Sequence, residues 1–149
     1  MSELAALKGI VDSNLYMTLA TADADGRPWA APVWFAHEDY IRFVWVSKPE
    51  ARHSQNLAVR PETGIVIFDS TVSEGAAQAV YLEAQAEQLG EDEAAREIAV
   101  FSRRSQGAGW PEWTVEQVLP PASLRLYRAN ATAHFLLGDN DERVAVSLG

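Results

Sequence analysis

Apolar side chains recur along this chain in two periods, and the switches between them outline its elements. Leu4, Leu7 and Val11 stand at helical spacing behind Ser2, whose hydroxyl suits an N-cap. Leu15, Met17 and Leu19 then alternate with Tyr16, Thr18 and Ala20, the period of a strand. Asp25-Gly26 marks a turn, and residues 27–36 return as a second strand carrying Trp34 and Phe35. Pro28 and Pro32 lie inside that return. Proline cannot donate to a sheet ladder, so this strand is expected at an edge, at an interruption or where a ligand comes near. Residues 37–39 read as the next turn, and residues 40–46 as a third strand with Phe43, Val44 and Trp45.

The segment that follows carries the candidate chemistry. Ser47-Lys48-Pro49-Glu50 has the form of a Ser-x-x-Glu capping box with proline in the first helical turn, and Arg52 and His53 come next. The helix is expected to stop near Arg60, because the residue before Pro61 disfavours helical geometry. A helix N-terminus presents free N–H groups and the positive end of the dipole, which together attract anions. Two cationic side chains there, beside strands rich in aromatics, suit a ligand with a flat ring and a phosphate. Flavin mononucleotide (FMN) fits that description. Each feature alone has a plainer meaning: capping boxes start many helices, an Arg-His pair is more often a solvated face, and strand aromatics are usually core. Their order along the chain is what weighs.

Downstream, residues 63–69 form a short β-branched apolar run, expected as a buried strand, and residues 70–76 a polar loop. Residues 78–89 alternate Val80, Leu82, Ala84 and Ala86 against Tyr81, Glu83, Gln85 and Glu87, a long strand with one wet face. Residues 91–104 are helical, acidic at the start and closing on Arg103 and Arg104 as the helix dipole favours. A loop with Trp110 and Trp113 precedes a short helix with a Thr-x-x-Gln box at 114–119, stopped by Pro120-Pro121. Residues 124–137 read as a long or bulged strand, followed by a turn and a last strand at 143–146. Six to seven antiparallel strands with peripheral helices predict a mainly β fold, a small closed or partly closed, Greek-key-like barrel.

The 149 residues, 48% of them hydrophobic, contain no Pro/Gly/Ser-rich linker and no repeat, which fits one domain over 1–149 with its own core. A net charge of -9, from 21 acidic and 12 basic residues, disfavours nucleic acid as the main partner. The absence of cysteine excludes disulfides, thiolate nucleophiles and iron–sulfur clusters. The first sixteen residues lack the basic start and apolar run of a secretory signal, and no stretch is apolar for the length of a membrane span, so a cytoplasmic location is expected.

In order, Gly26-x-Pro28-x-x-x-Pro32-Val33-Trp34-Phe35, a strand, Ser47, Arg52-His53-x-x-Asn56-Leu57 and Pro61 resemble the pyridoxamine-5′-phosphate-oxidase-like flavin-binding split barrels. The resemblance runs from about residue 15 to residue 89, and more loosely to Tyr127-Arg128. It implies a homodimer with FMN in clefts between two barrels. It also implies roles residue by residue. Arg52 and His53 match the paired basic residues on the FMN phosphate, and Ser47 a hydroxyl near it. Val33 and Trp34 match the strand along the isoalloxazine ring, and Gln78 falls within one residue of a glutamine that reaches the flavin. Where pyridoxamine phosphate oxidases proper have Arg, Lys and Ser contacts to FMN, this chain has Ala31, Ala36 and Ala51. Their C-terminal substrate segment has no equivalent after Arg128. Vitamin B6 phosphates are therefore not the expected substrate.

The implied activity is an FMN-dependent oxidoreductase moving hydride between flavin N5 and a small molecule or nicotinamide. A deazaflavin-dependent reductase and a non-catalytic flavin or haem carrier are the alternatives. No metal cluster is expected, since the three histidines are far apart in sequence and the Glu91-Asp92-Glu93 run is explained by its helix start. His37 is expected as an exposed surface histidine and His134 as a strand histidine with no assigned role. Trp110 and Trp113 are expected to pack rather than form a lid.

Overall fold

A computed structural model describes residues 1–149. In chain order its elements are α1 (Glu3–Ser13), β1 (Tyr16–Ala22), β2 (Pro28–Trp34), β3 (Ala36–Glu38), β4 (Arg42–Ser47), α2 (Arg52–Val59), β5 (Glu62–Phe68), β6 (Ala79–Gln88), α3 (Glu91–Gly107), β7 (Arg125–Leu137) and β8 (Arg143–Ala145). Seven strands run in the order β2-β1-β5-β6-β7-β4-β3, with β8 beside β7, and every pairing is antiparallel. The sheet curls into a half-barrel until β2 and β4, with four strands between them in that order, approach each other and the Phe35 and Phe43 rings stand 5.9 Å apart. This is the mainly β, partly closed barrel that the alternation of apolar positions predicted, in the split form that the resemblance implied.

Alternation along each strand sends one set of side chains inward. Met17, Leu19, Val33, Phe43, Trp45, Ile65, Ile67, Val80 and Leu82 fill the barrel, and Leu7 and Val11 of α1 close over them. The Ser2 hydroxyl caps α1 by accepting from Ala5 N–H at 3.1 Å. On the outside of β3 and β4, α3 lays Ala94, Ile98 and Phe101 against Ala36, Val44 and Leu126. No helix is long and apolar enough to cross a membrane.

Two local expectations are revised. Residues 36–38 pair with β4 instead of forming a turn, and the reversal comes at Asp39 and Tyr40, which have φ of 56° and 59°. Tyr40 tolerates this backbone because its hydroxyl donates to Asp12 Oδ2 at 2.6 Å and its N–H donates to His37 Nδ1 at 3.2 Å. His37 is consequently no free surface histidine. With Nδ1 accepting from Tyr40 and Nε2 on Asp12 Oδ1 at 2.8 Å, both ring nitrogens are occupied in joining α1 to the β3–β4 turn. His134 is also satisfied, its Nε2 lying 2.7 Å from the Tyr40 carbonyl. The long β7 does carry its irregularity: Ala131 and Ala133 pair with neighbouring residues of β6, and the intervening Thr132 donates its hydroxyl to Glu83 O.

Candidate cofactor site

β2 lies at an open edge of the sheet. Phe35 N–H donates to Leu15 O, and Tyr16 pairs with Trp34, so antiparallel alternation turns the backbone groups of Pro28, Ala30, Pro32 and Trp34 away from β1. Both prolines thus occupy positions whose missing N–H would have pointed off the edge. The edge keeps carbonyls and loses half of its donors, which blunts pairing with another strand.

The capping-box expectation at Ser47 fails. Lys48, Pro49, Glu50 and Ala51 form a turn closed by Ala51 N–H to Lys48 O at 3.1 Å, with proline at the second position that such turns favour. The turn uses the residues that the box needed, so α2 starts at Arg52 behind Ala51, which offers no side-chain cap. Ser47 stays at the end of β4, where its hydroxyl shares a 2.9 Å hydrogen bond with His53 Nε2. The first backbone bond of α2 runs from Gln55 N–H to Ala51 O, so the N–H groups of Arg52, His53 and Ser54 precede the ladder.

A stripe of residues one helical turn apart docks α2 onto the β1–β2 hairpin. Arg52 lays its guanidinium over the Trp29 ring, 4.2 Å from the centroid. Asn56 Nδ2 donates to the Thr21 hydroxyl at 3.0 Å, and both residues are buried. Arg60 Nε donates to the Asp23 carbonyl at 3.1 Å. The stack engages only the face of the Arg52 guanidinium and leaves its edge donors free of protein partners. Burial pushes the His53 imidazole below its ordinary value, so the proton at this half-buried ring is held loosely. Arginine donors, an imidazole bonded to a hydroxyl and three uncapped N–H groups thus lie within residues 47–54, at the start of α2. Such an arrangement suits an oxyanion.

The remaining expected site residues lie along β2. Val33 is buried in the barrel and paired with Met17, while Trp34 meets the open edge with its backbone and packs its ring on Phe101 and Trp110, centroids 5.2 and 5.4 Å away. Gln78 is exposed just before β6, at the far end of that strand from α2. It lines a cavity of about 250 Å³ with Asn14, two residues before Tyr16, the cross-strand partner of Trp34. From Trp29 to Trp34 the strand covers about 17 Å at ~3.4 Å per residue. Arg52, His53 and Ser47 are therefore gathered at one end of this line, with Trp34 and Gln78 towards the other. Trp29 was not singled out from sequence, although its place right after Pro28 at the hairpin start was visible there. Trp113 packs edge-on against Phe101, whereas Trp110 leaves half its surface exposed.

The family described as pyridoxamine 5′-phosphate oxidase matches residues 4–138. The chain belongs to it. A pyridoxine/pyridoxamine 5′-phosphate oxidase of Thermosynechococcus vestitus is 30% identical over 130 residues, which are 85% of this chain and 57% of that protein. The relative in Streptomyces avermitilis, also 30% identical, is matched over 76% of this chain and 47% of its own length, so the chain spans about half the length of the curated relatives it matches. Solved structures share the fold at lower identity. A haem-binding protein from Mycobacterium smegmatis superposes with a TM-score of 0.77 at 23% identity, over 99% of this chain and 59% of that one. A FAD-binding protein from Mesorhizobium loti gives 0.67 at 17%, over 99% and 96%. An F420 reductase gives 0.61 at 18%, over 85% and 94%.

Proposed function

We propose that this chain binds FMN along β2, with the phosphate at the start of α2 and the ring towards Trp34 and Gln78, as part of an FMN-dependent oxidoreductase. The observation that carries the reading is Arg52 stacked on Trp29 at one end of an open strand edge, with the Ser47-bonded His53 and three uncapped N–H groups next to it at the start of α2. Arg52 and His53 would hold the phosphate, and the Ser47 hydroxyl would orient the imidazole. Val33 and Trp34 supply the strand beside the ring, and Gln78 a polar side chain at its end. Bound flavin supplies hydride transfer at N5 with a small molecule or a nicotinamide. The protein groups bind, orient and restrict water.

A homodimer with the cofactor at its interface belongs to the same proposal. On the outer face of the sheet, β1, β2 and the last residues of β5 expose Tyr16, Ala20, Ala30, Pro32 and Phe68 with no charged side chain among them. A contiguous apolar face of this kind marks an interaction surface. The relatives that share the fold bind haem, FAD or serve as an F420 reductase, so a haem or deazaflavin carrier is the competing reading. An absorption spectrum of the purified protein, repeated after excess FMN and desalting, separates them. Retained flavin bands released as FMN on denaturation support the proposal; a colourless protein that takes up no FMN, or a Soret band, removes it. Reduction of bound flavin by a nicotinamide cofactor and reoxidation by an acceptor distinguish enzyme from carrier.

A further inference from the structure

We infer that Trp29 is a positioning residue that aims Arg52 and so makes the site selective for a phosphate-bearing cofactor over its phosphate-free form. The inference rests on the phosphate placement proposed above. Four residues form a closed frame. Arg52 and Asn56 are one turn apart on α2, and Thr21 and Trp29 are cross-strand partners in β1 and β2. Asn56 bonds Thr21 at 3.0 Å and Arg52 stacks on Trp29 at 4.2 Å, so the two contacts are neighbouring rungs between helix and hairpin. The buried rung fixes the helix, and the outer rung fixes the guanidinium.

A guanidinium on an aromatic face spends its face and keeps its in-plane donors, the geometry needed for bidentate contact with phosphate oxygens. One competing anion is Asp23, whose carboxyl is held low chiefly by the Arg27 N–H and, least of all, by the charge of Arg52. Asp23 is held back by its own turn, where Oδ1 accepts from the N–H groups of Asp25 and Arg27, each at 2.9 Å. Without the Trp29 ring, the exposed Arg52 has rotamers leading to Asp23 and to solvent, and the anion must hold it against both.

The test compares wild type, Trp29→Leu and Trp29→Phe by titration with FMN, riboflavin and inorganic phosphate. Trp29→Leu is expected to weaken FMN and inorganic phosphate about five- to tenfold, with riboflavin unchanged, and Trp29→Phe to stay within about threefold of wild type. Unaltered FMN and phosphate binding in Trp29→Leu would overturn the inference. So would an equal loss for riboflavin, because the ring would then shape the flavin pocket as a whole. A wild type that binds phosphate but neither flavin removes the FMN reading, while the phosphate comparison still decides the role of Trp29. A wild type that binds none of the three overturns both.

Discussion

The Ser47 hydroxyl meets His53 Nε2 at 2.9 Å, joining the end of β4 to the first turn of α2 across a turn built on Pro49. This contact orients an imidazole whose burial lowers its proton affinity. A phosphate dianion placed beside it reverses that effect, since a nearby opposite charge favours the protonated ring. FMN binding should therefore take up a proton. Affinity is expected to rise as pH falls towards the ordinary imidazole value of about 6.5, and to flatten near pH 6 where the phosphate itself gains a proton. Calorimetry in buffers of different ionisation enthalpy reads the uptake directly, and His53→Lys should abolish it. For the cofactor-free protein the sign is fixed by the lowered value: stability is full above about pH 6.5 and falls below it, as the unfolded chain accepts the proton more readily.

Arg52 provides a permanent positive charge at the proposed phosphate end. Arg52→Ala is expected to weaken FMN by about ten- to a hundredfold, the worth of charge-assisted hydrogen bonds of roughly 1.5–3 kcal/mol, while riboflavin binding hardly moves. Fluorescence quenching of either flavin measures both affinities. Equal loss for the two ligands would place the phosphate elsewhere.

The Asn56–Thr21 bond is the buried rung between α2 and β1. Truncating one partner strands the other, so Asn56→Ala should cost about 1–3 kcal/mol in chemical denaturation. Adding Thr21→Val removes the stranded hydroxyl and should recover part of that loss. A double variant no more stable than the additive sum would mean that the two side chains act independently.

Tyr40 should be the last tyrosine to ionise. Burial and the hydrogen bond to Asp12 push its hydroxyl up to about 12. A raised value means stabilisation that is complete below about pH 10 and lost as pH rises towards the folded value. Absorbance at alkaline pH should show Tyr40 titrating late beside Tyr127, whose hydroxyl burial also raises, and Tyr40→Phe should remove the later step. The same substitution should cost about 1 kcal/mol at neutral pH, reduced from the full worth of such a bond because Asp12 is half exposed.

Much of the fold was legible because its elements have different periods. Apolar residues at every second position marked β1, β6 and the inner face of the barrel, and the acidic start of α3 marked its N-terminus. The two prolines of β2 carried a further signal, that this strand lies at an edge. Family membership followed from the order of short motifs around Ser47, Arg52 and His53, none of them specific alone.

Other features depended on distances that local sequence does not encode. Whether Ser47 capped a helix or ended a strand was a contest between two local patterns, and the turn at Pro49 prevailed. His37 looked like a surface residue because its partner Asp12 lies 25 positions earlier. Trp29 gained its contact with Arg52 only when α2 folded back onto the β1–β2 hairpin, aligned by Asn56 and Thr21. The sequence by itself determined the strands, the edge and the residue types able to hold an anion. Tertiary structure decided which of them meet, because a hydrogen bond or a ring stack needs a few ångströms of proximity, and residues far apart in the chain reach it only through packing of the elements that carry them.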